Sequence, residues 1–228
     1  MSNRIPHALA AAALLATGAA QAVTVSVFNP GTSSISALSF TQVGSTLNIS
    51  TTWSAAAGAF LQFDDLNPAE NYTVRLTLIN NSGSTWTRVA NELLDPAGQS
   101  NDGLDPAVQP SFVPTRYTTS NDNDGLSFAQ GSGLVRTSTT FASVLADELS
   151  DVRDFLDFFN GSLAAGATDT LMTFGLRDNN DNQPFLLAVR PNAFSVPAIP
   201  EPETYALMAM GLVAVGFAAR RRKAVGTA

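Results

Sequence analysis

The sequence predicts a mainly β fold: an antiparallel, jelly-roll-like β-sandwich with one short helix. It lies between an N-terminal signal peptide and a C-terminal transmembrane helix. Three observations predict this. From Val23 to about Ala198, short stretches of β-branched and aromatic residues alternate apolar and polar with a period of two, as half-buried strands do. Turn-forming clusters such as Asn67-Pro68-Ala69-Glu70-Asn71 and Asn80-Asn81-Ser82-Gly83 separate them, and many short strands broken by turns pack as two layers. Both ends of the chain leave this pattern for apolar runs that carry arginine on one side.

The first element is the export signal, residues 1–22. MSNRIPHALAAAALLATGAAQA has Arg4 in a short polar start, an apolar run from Ala8 to Ala16, and Ala20-Gln21-Ala22 at its end. Small residues at Ala20 and Ala22 suit signal peptidase, so cleavage after Ala22 is expected. The run is short for a membrane span; an uncleaved anchor is the alternative.

The body, 23–198, follows. VTVSVF (23–28) alternates around β-branched residues. SSISALSFTQVGSTLNISTTWS (33–54) reads as two or three strands broken at Gly44. FLQFDDL (60–66) and YTVRLTLI (72–79) have a period of two. In the latter, Tyr72, Val74, Leu76 and Leu78 share a core face, which leaves Arg75 toward solvent. Residues 95–133 are rich in Asn, Asp, Gly, Pro and Ser and read as long loops with at most one strand. In SVLADELSDVRDFLDFF (143–159), Leu145, Leu149, Val152, Leu156 and Phe159 recur at three- and four-residue steps, which predicts a helix ending before Asn160-Gly161. Its end at Asp157-Phe158-Phe159 also reads as the start of a strand. LMTFGLRD (171–178) and FLLAVRP (185–191) are late strands.

The last element is the segment 199–225. Ile199-Pro200-Glu201-Pro202 is expected to be extended, because proline removes a donor and restricts the residue before it. No residue from Thr204 to Ala219 is charged. A helix over that span is about 24 Å long against a hydrocarbon core of ~30 Å. Arg220, Arg221, Arg222 and Lys223 follow; they can snorkel and stay on the cytoplasmic side, leaving the body outside. Physics alone allows a plain single-span anchor. The order of Pro200-Glu201-Pro202, span and arginines resembles the PEP-CTERM sorting domain over about the last 25 residues. That resemblance implies recognition of Pro200, Glu201 and Pro202 by an exosortase in an exopolysaccharide-producing Gram-negative bacterium. It implies transient anchoring in the inner membrane, then the cell surface or extracellular matrix. NNSGSTWTRVANELL (80–94) looks like a strand-turn-strand element of the sandwich domains in such proteins, and PFLLAVRPN (184–192) is similar to their last strand.

Charge and composition narrow the chemistry. Residues 23–199 hold seven basic residues, all arginine, and seventeen acidic ones, a net of −10. Such a body repels nucleic acid and anionic lipid, so neither is an expected partner. There is no cysteine, and the only histidine is His7 in the signal. A mature chain without either has no Ser-His-Asp triad, no Cys-His pair and no zinc site of imidazole or thiolate. Carboxylates remain: Asp64-Asp65, Asp147-Glu148 and Asp154 with Asp157 are the candidates for a glycosidase pair. No cofactor is expected, with calcium as the alternative. Asp122-Asn123-Asp124-Gly125 resembles the start of an EF-hand loop, but aligned on Gly125 the first position is Ser120 and the twelfth Gly131, so the opening acid and closing Glu are missing. A loop-built oxygen site would draw on Asp102, Asp105, Asp122 and Asp124, with Asp178 and Asp181. Trp86 and Trp53, with Tyr72 and Tyr117, are the candidate sugar-stacking faces if exposed. The expected protein is a non-catalytic surface or matrix component; the alternatives are a carbohydrate- or calcium-binding adhesion module and, behind it, a glycosidase.

Overall fold

The computed structural model describes residues 22–29, 31–98, 110–121, 124–129, 131–147, 153–179 and 183–195. Among them are twelve strands: β1 (Thr24–Val27), β2 (Ile35–Val43), β3 (Thr46–Trp53), β4 (Ala59–Asp64), β5 (Tyr72–Asn80), β6 (Val89–Pro96), β7 (Tyr117–Thr119), β8 (Leu126–Ser127), β9 (Ser143–Asp147), β10 (Phe155–Phe159), β11 (Thr168–Asp178) and β12 (Phe185–Pro191). A seven-stranded sheet runs β1-β4-β12-β6-β10-β9, and β7 continues the edge of β6 that β10 occupies. A five-stranded sheet runs β2-β3-β5-β11-β8.

The two sheets share one core. Leu47, Ile49, Val74, Leu76, Met172 and Phe174 of the smaller sheet cluster with Leu61, Phe63, Leu93, Leu156, Phe158 and Leu187 of the larger. Strict alternation on β3, β4 and β5 fills that core from one face only, which is why their strands were legible. Arg75 is exposed, as its place on the outer face requires. Gly44 turns β2 into β3 at a φ of 57°, a left-handed conformation that glycine adopts without cost to a side chain.

The structure corrects two expectations. The pairing is not all antiparallel: β3 and β5 run parallel, from Thr46 opposite Thr73 to Trp53 opposite Asn80. Between them the chain crosses to the larger sheet as β4 and returns, so β5 enters in the direction of β3. The helix expected over 143–159 is absent, and no helix occurs among the described residues. Residues 143–147 and 155–159 form an antiparallel pair instead, with Leu145 opposite Asp157 and Leu156 opposite Ala146. Of the three- and four-residue stripe, Leu145 lies on β9, Leu156 and Phe159 lie on β10, and Leu149 and Val152 lie outside the described residues; Leu145 is 50% exposed, whereas Leu156 and Phe158 enter the core.

β6, β10 and β12 are buried on both faces. Their outer face is covered in part by a second apolar cluster, where Leu94, Leu186 and Ala188 pack under Phe112, Val113 and Tyr117. That covered face holds the charges described next.

Candidate functional site

On the outer face of the larger sheet, Arg190 of β12, Ala90 of β6 and Asp157 of β10 lie in one row across three strands. Ala188, Glu92 and Phe155 form the next row. The two alanines are a low floor over which long charged side chains can lie. Gly58 gives further room, since a Cβ there would come within 3.0 Å of Arg190 Cγ.

Glu92 is fully buried. Its carboxylate accepts two hydrogen bonds from Arg153, Nε to Oε1 and a terminal nitrogen to Oε2, each at 2.5 Å. Arg190 donates to Oε2 at 3.0 Å, and its guanidinium lies 3.7 Å over the ring of Phe112. Ionised groups are held away from water only when paired and hydrogen-bonded in this way. Burial pushes the Glu92 carboxyl up against the pull of both arginines, and burial lowers Arg190.

The network ends on the chain's exit from the domain. Asp157 Oδ2 accepts from the Ser195 backbone N–H at 2.9 Å, and Oδ1 accepts from its hydroxyl at 2.8 Å. Arg190 also donates to the Ser195 hydroxyl oxygen at 3.2 Å. Burial raises the Asp157 carboxyl, and the two bonds from Ser195 oppose that rise. Just upstream, the Asn192 backbone N–H donates to the Arg88 carbonyl at 2.9 Å, and its side chain spans Thr85 and Thr87. Phe194 lies 3.9 Å beneath the Arg88 guanidinium and meets Phe159 edge-on. Glu92, Asp157 and Ser195 are closed to water, Asn192 and Phe194 stay exposed beside them, and together they hold the stretch of chain that follows β12. The sequence reading missed it, although single charges inside apolar runs, Glu92 in VANELL, Asp157 in FLDFF and Arg190 in LLAVRP, mark it.

The residues picked out from sequence fall elsewhere. Trp53 and Trp86 are fully buried, edge to face with each other. They offer no stacking face to a sugar, because both rings fill the core. Tyr72 is buried as well, and its hydroxyl accepts from the Asn67 N–H at 3.0 Å. Tyr117 packs edge-on against Phe28 in the outer cluster.

Asp154 and Asp157 do not form a hydrolytic pair. Three positions apart along an extended chain, they point to opposite faces. Asp157 binds Ser195 on the outer side, while Asp154 Oδ2 accepts from the Ser120 hydroxyl at 2.8 Å. Asp64 accepts from Gln62 at 3.1 Å, and Asp65 has a φ of 63°. Asp147 ends β9, and Glu148 lies outside the described residues.

Of the calcium candidates, Asp124 is described and buried. Its Oδ1 accepts from the Leu126 N–H and its Oδ2 from the Asn121 N–H, both at 2.9 Å, and the Ser120 hydroxyl lies 3.2 Å from Oδ1. Burial foremost, with the Asp178 charge adding to it, raises the carboxyl to about 6. Asp102, Asp105, Asp122 and Asp181 lie outside the described residues. Among the described residues no three His, Cys, Asp or Glu gather in a metal-holding group.

Ala22 is exposed; Ala20, Pro200, Glu201, Pro202, Arg220, Arg221 and Arg222 lie outside the described residues. No helix among the described residues is long and apolar enough to cross a membrane. Residues 198–223 match the family model of the PEP-CTERM protein-sorting motif. A motif of this kind marks a secreted protein for recognition by an exosortase and processing at a C-terminal membrane-anchoring signal. Searches of curated proteins and of solved structures gave no match to this chain.

Proposed function

We propose that this chain is an exported, non-catalytic β-sandwich protein of the cell surface or extracellular matrix. Signal peptidase releases its start after Ala22. The C-terminal segment holds it in the inner membrane until an exosortase engages Pro200-Glu201-Pro202. The observation that carries this reading is the match of 198–223 to the sorting motif. Two others support it. A body without histidine or cysteine is poorly equipped for acyl transfer. Its last strand, β12, lies inside the sheet between β4 and β6, so a pull on the tail is borne by the sheet rather than by a loose end. Exopolysaccharide is the partner that such a surface setting supplies.

The test replaces Pro200, Glu201 and Pro202 by alanine in the full-length chain in its native host. The expected result is retention in the membrane fraction with Arg220–Lys223 still attached. A variant that reaches the surface or the medium like the parent protein contradicts the reading. The role of Asp124 in a calcium-binding module is a second reading, favoured by its place beside Ser120 and Asp154. Calcium that raises the melting temperature of the parent protein but not of Asp124→Ala would support it.

A further inference from the structure

The junction between domain and tail is built as a clamp, and its position is defined by a few named contacts. Ser195 is 4% exposed and both of its polar groups are taken by Asp157. Asn192 and Phe194 are fixed separately, by the 85–88 segment and by Phe159. None of these contacts is needed to close either sheet, since β12 has ended at Pro191. They extend the hold of the domain four residues further, toward the sorting motif that begins at residue 198.

From Ser195 to Pro200 the chain can reach at most about 17 Å, at ~3.3–3.6 Å per extended residue. A domain of this size has a radius of gyration of about 16 Å. The reach of the tether is therefore comparable with the body's own radius, so anything that binds at Pro200 works within a few residues' reach of the folded domain. With a tether so short, two or three residues decide whether the motif reaches an enzyme at the membrane face.

We propose that the Asp157–Ser195 clamp is a positioning device for processing: it sets the point from which the tether to Pro200-Glu201-Pro202 is measured, so the folded domain governs how far the motif can reach. This rests on the sorting function proposed above. Arg190 supports the clamp by holding the Ser195 hydroxyl and joining it to the buried Glu92 network. Asp157 and Ser195 are positioning residues; the reacting groups belong to the enzyme.

The test compares full-length chains in the native host by pulse-chase, with intact mass reporting whether Arg220–Lys223 remains. Deletion of 196–197 removes about 7 Å of reach and leaves the matched motif whole. It is expected to slow processing by about tenfold or more, as misplacement of a reacting group does. Adding Asp157→Ala, Phe194→Ala and Ser195→Ala to that deletion also removes the Arg190 bond to Ser195, frees residues 193–195 and returns about 10 Å, so processing is expected to recover. Phe194→Ala with Ser195→Pro is a second release variant: it leaves the Asp157 carboxyl in place and removes both the N–H and the hydroxyl that bind it. A melting curve on each confirms that the domain is folded. A merely structural role for the clamp predicts the opposite sign, since weakening it in the shortened chain would then do further harm. The proposal is overturned if the deletion is processed at the parent rate, or if a folded release variant fails to restore processing. A parent chain that keeps its tail throughout the chase would sink the sorting function itself, and is read separately.

Discussion

The indole rings of Trp53 and Trp86 meet edge to face, with centroids 5.5 Å apart and planes at 86°. Each N–H is satisfied, Trp53 by the Thr51 hydroxyl at 2.9 Å and Trp86 by the Ser82 hydroxyl at 3.0 Å. Trp86 also pairs its backbone with Leu163 in both directions. The pair thus joins the end of β3 to the crossover between β5 and β6. Trp86→Ala should lower stability by about 3–5 kcal/mol, the usual cost of emptying a large aromatic site, measured by denaturant unfolding. Tryptophan emission should be blue-shifted and insensitive to added saccharides. Quenching by a sugar would contradict the buried placement.

Glu92 is the carboxylate that Arg153 and Arg190 both bond, so its loss leaves each guanidinium without that partner. Glu92→Ala should cost about 3–5 kcal/mol, as expected when one partner of a buried ion pair is removed. Removing Arg153 as well should cost less than the sum of the two single changes, because the residues share one network. Strict additivity in a double-mutant cycle would show that the contact contributes nothing of its own.

Asp124 makes stability depend on pH. Its carboxyl is raised from 3.8 to about 6 in the folded protein, so the fold binds that proton more tightly than the unfolded chain does. The stabilisation is full below about pH 4 and is lost as pH rises through about 6, on the order of 3 kcal/mol. Glu92 and Asp157 are also raised, and they act with the same sign. Asp124→Asn should flatten the curve between those pH values. A parent protein that gains stability over this interval, or an Asn variant with the same slope, would contradict the assignment.

Gly161 follows β10 where the chain passes against Thr140 and Phe141. A Cβ there would strike the Thr140 carbonyl oxygen and come within 2.9 Å of Phe141 Cα. Backbone must shift to admit it, so Gly161→Ala should cost about 1–3 kcal/mol. Gly31, with nothing within 4 Å of a Cβ and no left-handed φ, is the control, and its alanine variant should melt close to the parent.

Strands with one wet face were legible from sequence. On β3, β4 and β5 every second residue is buried, and the alternation is the signal. β10 was obscured because Phe155 and Asp157 are buried on the outer face while Leu156 and Phe158 fill the core. With both faces covered, the period of two disappears and a false helical stripe is left. The parallel register of β3 with β5 depends on a crossing between sheets that no local pattern records. The clamp at Ser195 was invisible for a related reason: a serine near a chain end carries no periodic signal, and only folding brings it to Asp157, thirty-eight positions away. The sorting motif was legible because its signal is linear, a fixed order of prolines, apolar span and arginines.

The most direct measurement is the intact mass of the protein recovered from the surface and medium of its native host. The account predicts a chain that begins at Val23 and ends near Pro200–Pro202. A mass that still includes Arg220–Lys223 would mean a permanent membrane anchor and would contradict it.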